Sequence, residues 1–222
     1  SKSTISRYLN GKNVTVENRI RIEKAIQELG YRINPIARGL KTNKTHVVGV
    51  VIPDITDPFF PPIVKLLEQE LRKKGYQTLI NNYGNDIELE KEQVEVLSNQ
   101  RADGLIVVSS AKTGEHIQEC ITRGTPVVLL DRLVEGVECD VVVVDNYQAT
   151  FDALSLAIRR GHSRIAIVRV SGTIYSDAPR YQGYVDALKQ HNIEVRPEYV
   201  VFSELDVDDS KRQFMRLMNL EE

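Results

Sequence analysis

The first residues of the chain carry the side chains best suited to contact a polyanion. Lys2, Ser3 and Arg7 place cationic and short polar groups on one side of a predicted helix. Such groups can reach base edges in the major groove of DNA, and an arginine suits a guanine edge. The opposite side of the helix carries apolar residues at helical spacing, namely Ile5, Tyr8 and Leu9. A helix that lies in a groove needs both faces, one for the nucleic acid and one for its own domain.

The net charge changes sign near residue 45. Residues 1–45 hold 10 Lys and Arg against 3 Asp and Glu, a net charge of +7, whereas the remainder holds 19 against 28, a net charge of −9. A cationic head can displace counterions from a nucleic acid, while the acidic body is free to bind something small. A basic tail that is merely solvated is the simpler alternative, but the head is patterned and not of low complexity.

The sequence contains no motif of a catalytic, cofactor or metal site. GxGxxG after the first strand, GxxxxGK[ST], GxSxG and HExxH are absent, and the four histidines show no ligand spacing. Cys120 and Cys139 lack CxxC spacing and are typical of reduced thiols in a cytoplasmic protein. The apolar runs are too short to span a bilayer, and the start does not resemble a signal peptide. We therefore predict a cytoplasmic protein that is not an enzyme, with no cofactor and no membrane partner.

The elements that must position these residues begin with short helices in the head. Thr15 is a candidate cap for a second helix, which is predicted to end at Gly30. Asn34–Pro35 then has the pattern of an N-cap followed by proline at the first helical position, and it begins a brief third segment. A polar connector, residues 41–45, leads into the body.

The rest of the chain alternates apolar, β-rich runs with helical stretches. Strands are predicted at 47–52, 77–81, 104–108, 126–130, 141–144, 165–168 and 199–202, and helices at 63–74, 87–99, 115–123, 149–160, 181–191 and 208–220. Strands without polar alternation, joined by helices of this length, are typical of a parallel sheet covered on both faces. We predict an α/β fold: a small all-α head, then a doubly wound parallel-sheet body of two subdomains, the second incomplete. Binding sites then lie in loops at the carboxyl ends of the strands.

Several strings resemble those of the LacI family of bacterial transcription regulators. They are SKSTISRYLNG (1–11), ELGYR (28–32), NPIARGLKT (34–42), VVGVVIPD (47–54), DPFF (57–60) and ADGLI (102–106). Each string alone is weak evidence for the family, but their occurrence in this order along essentially the whole chain is specific for it. The resemblance implies a partial helix-turn-helix domain at 1–33, a hinge helix and linker at 34–45, and a periplasmic-binding-protein-like effector domain. That domain would divide into an N-terminal subdomain at 46–146 and a C-terminal subdomain at 147–222.

For the head, the resemblance implies operator contacts by the first helix. Lys2 and Ser3 would be the variable specificity positions beside Arg7, for which a surface ion pair is the alternative. Phosphates would be held by Thr4, Ser6 and Asn10. For Thr4 and Ser6 the alternative is helix capping or surface polarity.

The resemblance also implies that the hinge becomes helical only on operator DNA, where two copies enter the minor groove. Asn34 would start that helix, Ala37 would lie close to the groove floor, and Leu40 would wedge between base pairs and bend the duplex. Gly39 lowers the intrinsic helicity of the segment. The alternative for Leu40 is an ordinary linker residue that packs on the body.

In the body, the resemblance places a small-molecule effector between the two subdomains. Phe59 and Phe60 could stack on a sugar ring or a base, and Asp131 could accept hydrogen bonds from hydroxyls. Arg180, joined by Ser176, could hold a carboxylate or vicinal hydroxyls, so a sugar or sugar acid is the expected effector class. The alternatives are core packing for each phenylalanine, a cap or hinge bond for Asp131, and a plain surface charge for Arg180.

The predicted function is a repressor whose operator affinity depends on the effector. The helix at 63–74 would supply a dimer face, since two recognition helices are needed for a two-fold operator, and Asp145-Asn146 is interpreted as a hinge or wall element between the subdomains. One alternative is a sugar-binding protein of a transport system, which predicts an export signal and no cationic head. The other is an α/β sugar-phosphate enzyme, which predicts a phosphate-binding glycine loop or an acid–base pair.

By the resemblance, a full family member would be longer than this chain. A helix-turn-helix needs a first helix, and this chain starts inside the second. The helix at 208–220 would lie partway through the second subdomain, so later strands and polar effector ligands would have no counterpart. We expect the chain to be a fragment of a longer regulator.

Overall fold

The structure is a computed structural model, and it describes residues 1–9, 12–31, 44–170, 175–204 and 207–220. The chain forms two compact units, Ser1–His46 and Val47–Glu222. Within the described ranges, no helix combines the length and the apolar character needed to cross a membrane.

The described part of the first unit consists of two helices, α1 (Lys2–Leu9) and α2 (Val16–Glu28). The hydroxyl of Tyr8 donates to Oε1 of Glu23 at 2.9 Å and ties α1 to α2. The predicted first and second helices are therefore present, and a side-chain hydrogen bond fixes one to the other.

Helix α2 begins and ends where the sequence predicts, but the predicted cap residue does not make the expected hydrogen bond. Thr15 is the N-cap residue, yet its hydroxyl accepts from the side chain of Asn18 at 2.8 Å and makes no cap hydrogen bond to the backbone. Gly30, with φ of +58°, follows the end of the helix as expected, because glycine adopts this left-handed conformation without strain. Gly11 and the segment predicted to begin at Asn34–Pro35 lie outside the described residues.

The second unit alternates strands and helices. Its elements are β1 (Val47–Ile52), α3 (Phe60–Lys73), β2 (Gln77–Asn82), α4 (Ile87–Asn99), β3 (Gly104–Val107), α5 (Glu115–Thr122), β4 (Val127–Leu130), β5 (Asp140–Val142), α6 (Asn146–Arg159), β6 (Ile167–Val170), α7 (Asp177–Gln190), a 3₁₀ turn (Pro197–Tyr199), β7 (Val200–Ser203) and α8 (Val207–Met218). Strands β1 to β5 form one parallel sheet in the order β2-β1-β3-β4-β5, and β6 pairs with β7 in a second parallel sheet. The α/β, parallel-sheet fold class is confirmed.

Helices pack on both faces of the central strands of the five-stranded sheet. Alternate residues of β1 point to opposite faces: Val51 belongs to the core cluster beneath α4 and α5, whereas Val50 and Ile52 join the cluster with Phe60 and Val64 of α3. This two-sided burial explains why the strands read as continuous apolar runs in the sequence. It also leaves the loops at the strand ends on a rigid support.

Two glycines mark close approaches of a helix. A Cβ atom on Gly49 of β1 would come within 2.7 Å of methyl groups of Leu97 on α4 and Leu105 on β3, so these leucines would have to shift to admit a larger residue. A Cβ atom on Gly183 of α7 would lie 2.5 Å from the carbonyl oxygen of Tyr147, where α7 crosses α6. The second crossing brings α7 against the start of α6.

Three helices begin three or four residues earlier than the sequence patterns predicted. Helix α3 begins at Phe60 instead of Ile63, because Pro61 and Pro62 are tolerated in a first helical turn. Helix α6 begins at Asn146 instead of Ala149, since the Asp145 side chain accepts from the backbone N–H of Gln148 and caps it. Helix α7 likewise begins at residue 177 instead of 181. The subdomain boundaries set out above remain predictions.

Candidate functional site

Helix α1 presents the side chains predicted to contact DNA. Lys2, Ser3 and Arg7 are exposed, and Thr4 and Ser6 are partly buried. Among residues 1–9 and 12–31, no carboxylate forms an ion pair with Lys2 or Arg7, so both cations remain available to a polyanion. This observation disfavours the ion-pair alternative for Arg7.

The first turn of α1 is also organised by its own hydroxyl groups. Oγ of Ser1 accepts from the backbone N–H of Thr4 at 3.3 Å and lies 3.0 Å from Oγ1 of Thr4. The capping alternative for Thr4 thus has a structural basis, and its phosphate contact stays a prediction. Four other predicted DNA contacts, Asn10, Asn34, Ala37 and Leu40, lie outside the described residues.

In the second unit, the loop after β1 is held by its own polar groups. The carboxylate of Asp54 accepts from the N–H and the hydroxyl of Thr56, each at 2.8 Å, and these hydrogen bonds lower the pKa of Asp54. Oδ1 of Asn82, at the end of β2, accepts from the N–H of Ile55 at 2.9 Å. Oδ1 of Asp57 accepts from the backbone N–H of Phe59, the residue before α3, also at 2.9 Å. The loop therefore has a defined shape where it carries its aromatic pair.

The two phenylalanines of that pair have different surroundings. Phe60 is 3% exposed and packs in the core, whereas Phe59 is 45% exposed, and the rings meet edge to face at 5.1 Å. The core-packing alternative therefore describes Phe60, and Phe59 has the ring that a ligand can reach.

Two charged residues follow β4: Asp131, which has a strained backbone, and Arg132, which is largely buried. Asp131 adopts φ of +68°, a left-handed conformation that is costly for a residue with a side chain, and its N–H donates to the carbonyl of Val142 at 2.8 Å. The next residue, Arg132, donates from Nη1 to Oγ of Ser110 at 2.6 Å and to the carbonyl of Ser109 at 3.3 Å. Its Nε is buried and has no hydrogen-bond partner among the described residues, and Oδ2 of Asp131 is 3.7 Å away.

The loop that holds Arg132 rests on a buried acid, Glu90 of α4. This carboxylate is fully buried and accepts from Oγ of Ser109 at 2.5 Å, from the N–H of Ser110 at 2.9 Å and from Nε2 of His116 at 3.0 Å. The hydroxyl of Tyr83 donates to the carbonyl of Val108 at 2.9 Å and lies 2.7 Å from Oγ of Ser110. Burial raises the pKa of Tyr83, so the phenol stays protonated as a donor. The sequence analysis did not identify Glu90 or Arg132.

The second sheet positions the remaining candidates at the start of α7. Arg169 of β6 forms a two-pronged contact with Oδ2 of Asp177, at 2.6 Å from Nη2 and 3.2 Å from Nε. The guanidinium also lies over the rings of Tyr181 and Phe202, at 4.1 and 4.9 Å from the centroids. These contacts fix the first turn of α7 to the end of β6.

Ser176 and Arg180 lie on this fixed turn. Ser176 is buried, and Arg180 is exposed and donates from Nε to Oδ1 of Asn146 at 2.8 Å. The structure thus gathers Phe59 and Asp131 at strand ends of the first sheet, and Ser176 and Arg180 beyond the end of the second. Within the ranges that the structure describes, no hydrogen bond or ion pair joins the two groups, and no cluster of His, Cys, Asp or Glu could hold a metal ion.

The fold and these side chains define a class of protein. It is a parallel-sheet α/β binding domain with polar and aromatic residues at its strand ends, preceded by a small cationic helical unit. Residues 45–220 match the family described as periplasmic binding proteins and sugar-binding domain of the LacI family. The chain belongs to the LacI family of transcriptional regulators.

Known proteins with similar sequences are transcriptional regulators. The chain is 32% identical over 226 residues to catabolite control protein A of Priestia megaterium, which covers 100% of this chain and 68% of that protein. It is 30% identical over 221 residues to the HTH-type transcriptional repressor CytR of Escherichia coli K12, covering 99% and 65%. A solved complex of the transcriptional regulator CelR with cellobiose superposes with a TM-score of 0.67 at 25% identity, covering 99% and 67%. The chain therefore spans about two thirds of the length of these relatives.

Proposed function

We propose that this chain is part of a cytoplasmic, sequence-specific DNA-binding repressor whose operator affinity is controlled by a sugar or sugar acid. The observation that carries the proposal is the exposed cationic face of α1, whose Lys2 and Arg7 form no ion pair with the described residues, in a chain whose residues 45–220 match a sugar-binding domain. The relatives found are transcriptional regulators, which favours this function over a transport protein or an enzyme.

In the proposed complex, α1 lies in the major groove. Lys2, Ser3 and Arg7 contact base edges, and phosphates are held by Thr4, Ser6 and Asn10. The hinge, residues 34–45, then enters the minor groove through Asn34, Ala37 and Leu40, and the leucine opens a base step so that the duplex bends.

The proposed effector site combines the two groups at the strand ends. The exposed ring of Phe59 stacks on the effector, and Phe60 supports it from the core. Asp131 accepts from effector hydroxyls, and Ser176 and Arg180 hold a carboxylate or vicinal hydroxyls on the other side. To these we add Arg132. Its Nε lies 3.7 Å from Oδ2 of Asp131, so an effector that binds Asp131 would lie beside the Arg132 guanidinium.

The proposed assembly is a homodimer through the face formed by α3 and β2. Leu66 of α3 and Ile80 of β2, which pairs with Val50 on the sheet face that α3 covers, are exposed apolar side chains. A two-fold operator requires two copies of α1, so a second copy of the chain is the partner that this face fits. The effector acts by population shift. It favours one arrangement of the two subdomains and so changes the fraction of protein that can bind operator DNA.

A gel-shift assay tests the proposal. The full-length protein is titrated on its own upstream DNA against random competitor, and sugars and sugar acids are then added. Preference for the upstream DNA, altered by at least one of these compounds, is the expected result. Equal affinity for both DNAs would contradict the proposal.

A further inference from the structure

One hydrogen bond connects the proposed effector arginine to the chain segment between the two sheets. Nε of Arg180 donates to Oδ1 of Asn146 at 2.8 Å. Asn146 is only 5% exposed although its side chain is an amide. A buried amide is normally fixed by its hydrogen bonds, so this residue is a rigid point of attachment for an exposed arginine.

The other contacts of Asn146 fix it to that connecting segment. Its Nδ2 and its backbone N–H both donate to the carbonyl of Val144, at 3.1 and 2.8 Å. Its own carbonyl accepts from the hydroxyl of Thr150 at 2.8 Å. Asn146 is the first residue of α6 and lies four residues after β5 ends. The amide is therefore locked where the chain leaves the five-stranded sheet.

The same bond determines which part of Arg180 is available. A guanidinium has five N–H donors in a planar fork, and Asn146 occupies the one on Nε. Among the described residues nothing bonds to Nη1 or Nη2. With Nε held, the two terminal nitrogens remain as a pair that can match two oxygens of a carboxylate, a phosphate or a diol.

We propose that Asn146 is the positioning residue for Arg180: it holds Nε and presents the terminal nitrogens to the effector. This inference rests on the proposed function and deepens it. Because the amide is attached to the connection between β5 and α6, capture of an anionic or polyhydroxylated ligand by Arg180 is linked mechanically to that connection. Sequence alone does not show the pairing, since 34 positions separate the two residues.

The test uses the full-length protein in two measurements. The first follows the Nε–H resonance of Arg180, assigned by its loss in Arg180→Ala. It should be protected from exchange in the wild type and in Asn146→Asp, which keeps the acceptor oxygen, but not in Asn146→Ala. Asp145→Ala is the matched control, because it removes the adjacent cap of α6 without touching Arg180. It should lower the melting temperature and leave the resonance protected.

The second measurement is calorimetric binding of three probes: D-gluconate, fructose 1-phosphate and cellobiose. For any probe that binds, Asn146→Ala should weaken affinity by about tenfold, the effect of one lost hydrogen bond to a charged group. Asn146→Ala added to Arg180→Ala should cause no further loss, and Gln148→Ala, which removes an exposed hydrogen bond to Asp152 on the same helix, should bind normally. Losses that multiply in the double variant, or normal binding by Asn146→Ala, would overturn the proposal. If no probe binds the wild type, the proposed effector class fails, and protection of the Nε proton alone decides whether Asn146 holds Arg180.

Discussion

Replacing the buried acid Glu90 by glutamine should destabilise the second unit by about 2–4 kcal/mol. The carboxylate accepts three hydrogen bonds, at 2.5 Å from Ser109, 2.9 Å from Ser110 and 3.0 Å from His116. Glutamine keeps one oxygen, which can still accept from Ser109 and His116, but its NH₂ group would then face the N–H of Ser110. One buried donor is thereby left unsatisfied, at about 1–3 kcal/mol, and the other two bonds lose their charge assistance.

Equilibrium unfolding in urea measures this effect. The midpoint for Glu90→Gln should fall while the dependence on denaturant stays the same. Glu88→Gln is the matched control, because Glu88 lies on the same helix with 81% of its side chain exposed and forms an exposed ion pair with Lys91. An exposed pair of this kind contributes about 0.5 kcal/mol or less. If Glu90→Gln shifts the midpoint no more than Glu88→Gln does, the account of the Glu90 network is wrong.

Four further predictions concern single positions. Arg7→Ala should weaken operator binding by about 1–3 kcal/mol and relax the preference at one base pair, as gel shifts on single-base operator variants would show; a loss without relaxed preference would indicate a phosphate contact. Leu40→Ala should weaken operator binding more than binding to random DNA, and equal losses would argue against a wedge. Arg180→Ala should reduce the effect of the effector on operator binding far more than it changes operator affinity, and an undiminished response would remove Arg180 from the site. Gly183→Ala should destabilise by about 1–3 kcal/mol in urea unfolding, since the new Cβ lies 2.5 Å from the carbonyl of Tyr147; an unchanged midpoint would show that α6 and α7 can separate freely.

The architecture was predictable because each element carries its own local signal. Every strand of the body was found within a few residues, since apolar runs bounded by helices are a property of the sequence itself. The helix starts were less predictable. Capping by Asp145 extends α6 by about one turn, and Pro61-Pro62 extend α3 by about one turn because prolines are tolerated there. The spacing of apolar residues contains no sign of either extension.

The candidate site was only partly predictable, because its supporting contacts join distant parts of the chain. Glu90 belongs to a helix with three other glutamates, Glu88, Glu92 and Glu95, and nothing in their spacing shows that Glu90 alone is buried. Its partners are 19 to 26 positions away, on the loop after β3 and on α5. Such pairings become visible only once the order of the strands brings the loops together.

The two arginines of the proposed effector site are supported in different ways, and the difference bears on how a signal could leave the site. Arg132 is fixed by the Ser109–Ser110 loop, which rests on Glu90 and on a five-stranded sheet whose central strands are buried on both faces. Arg180 is exposed and attached through one amide to the segment that leaves that sheet. A ligand bound by both arginines would therefore contact a rigid support through Arg132 and the connecting segment through Arg180. In the proposed mechanism, such a ligand displaces the connecting segment and so moves the two sheets relative to each other.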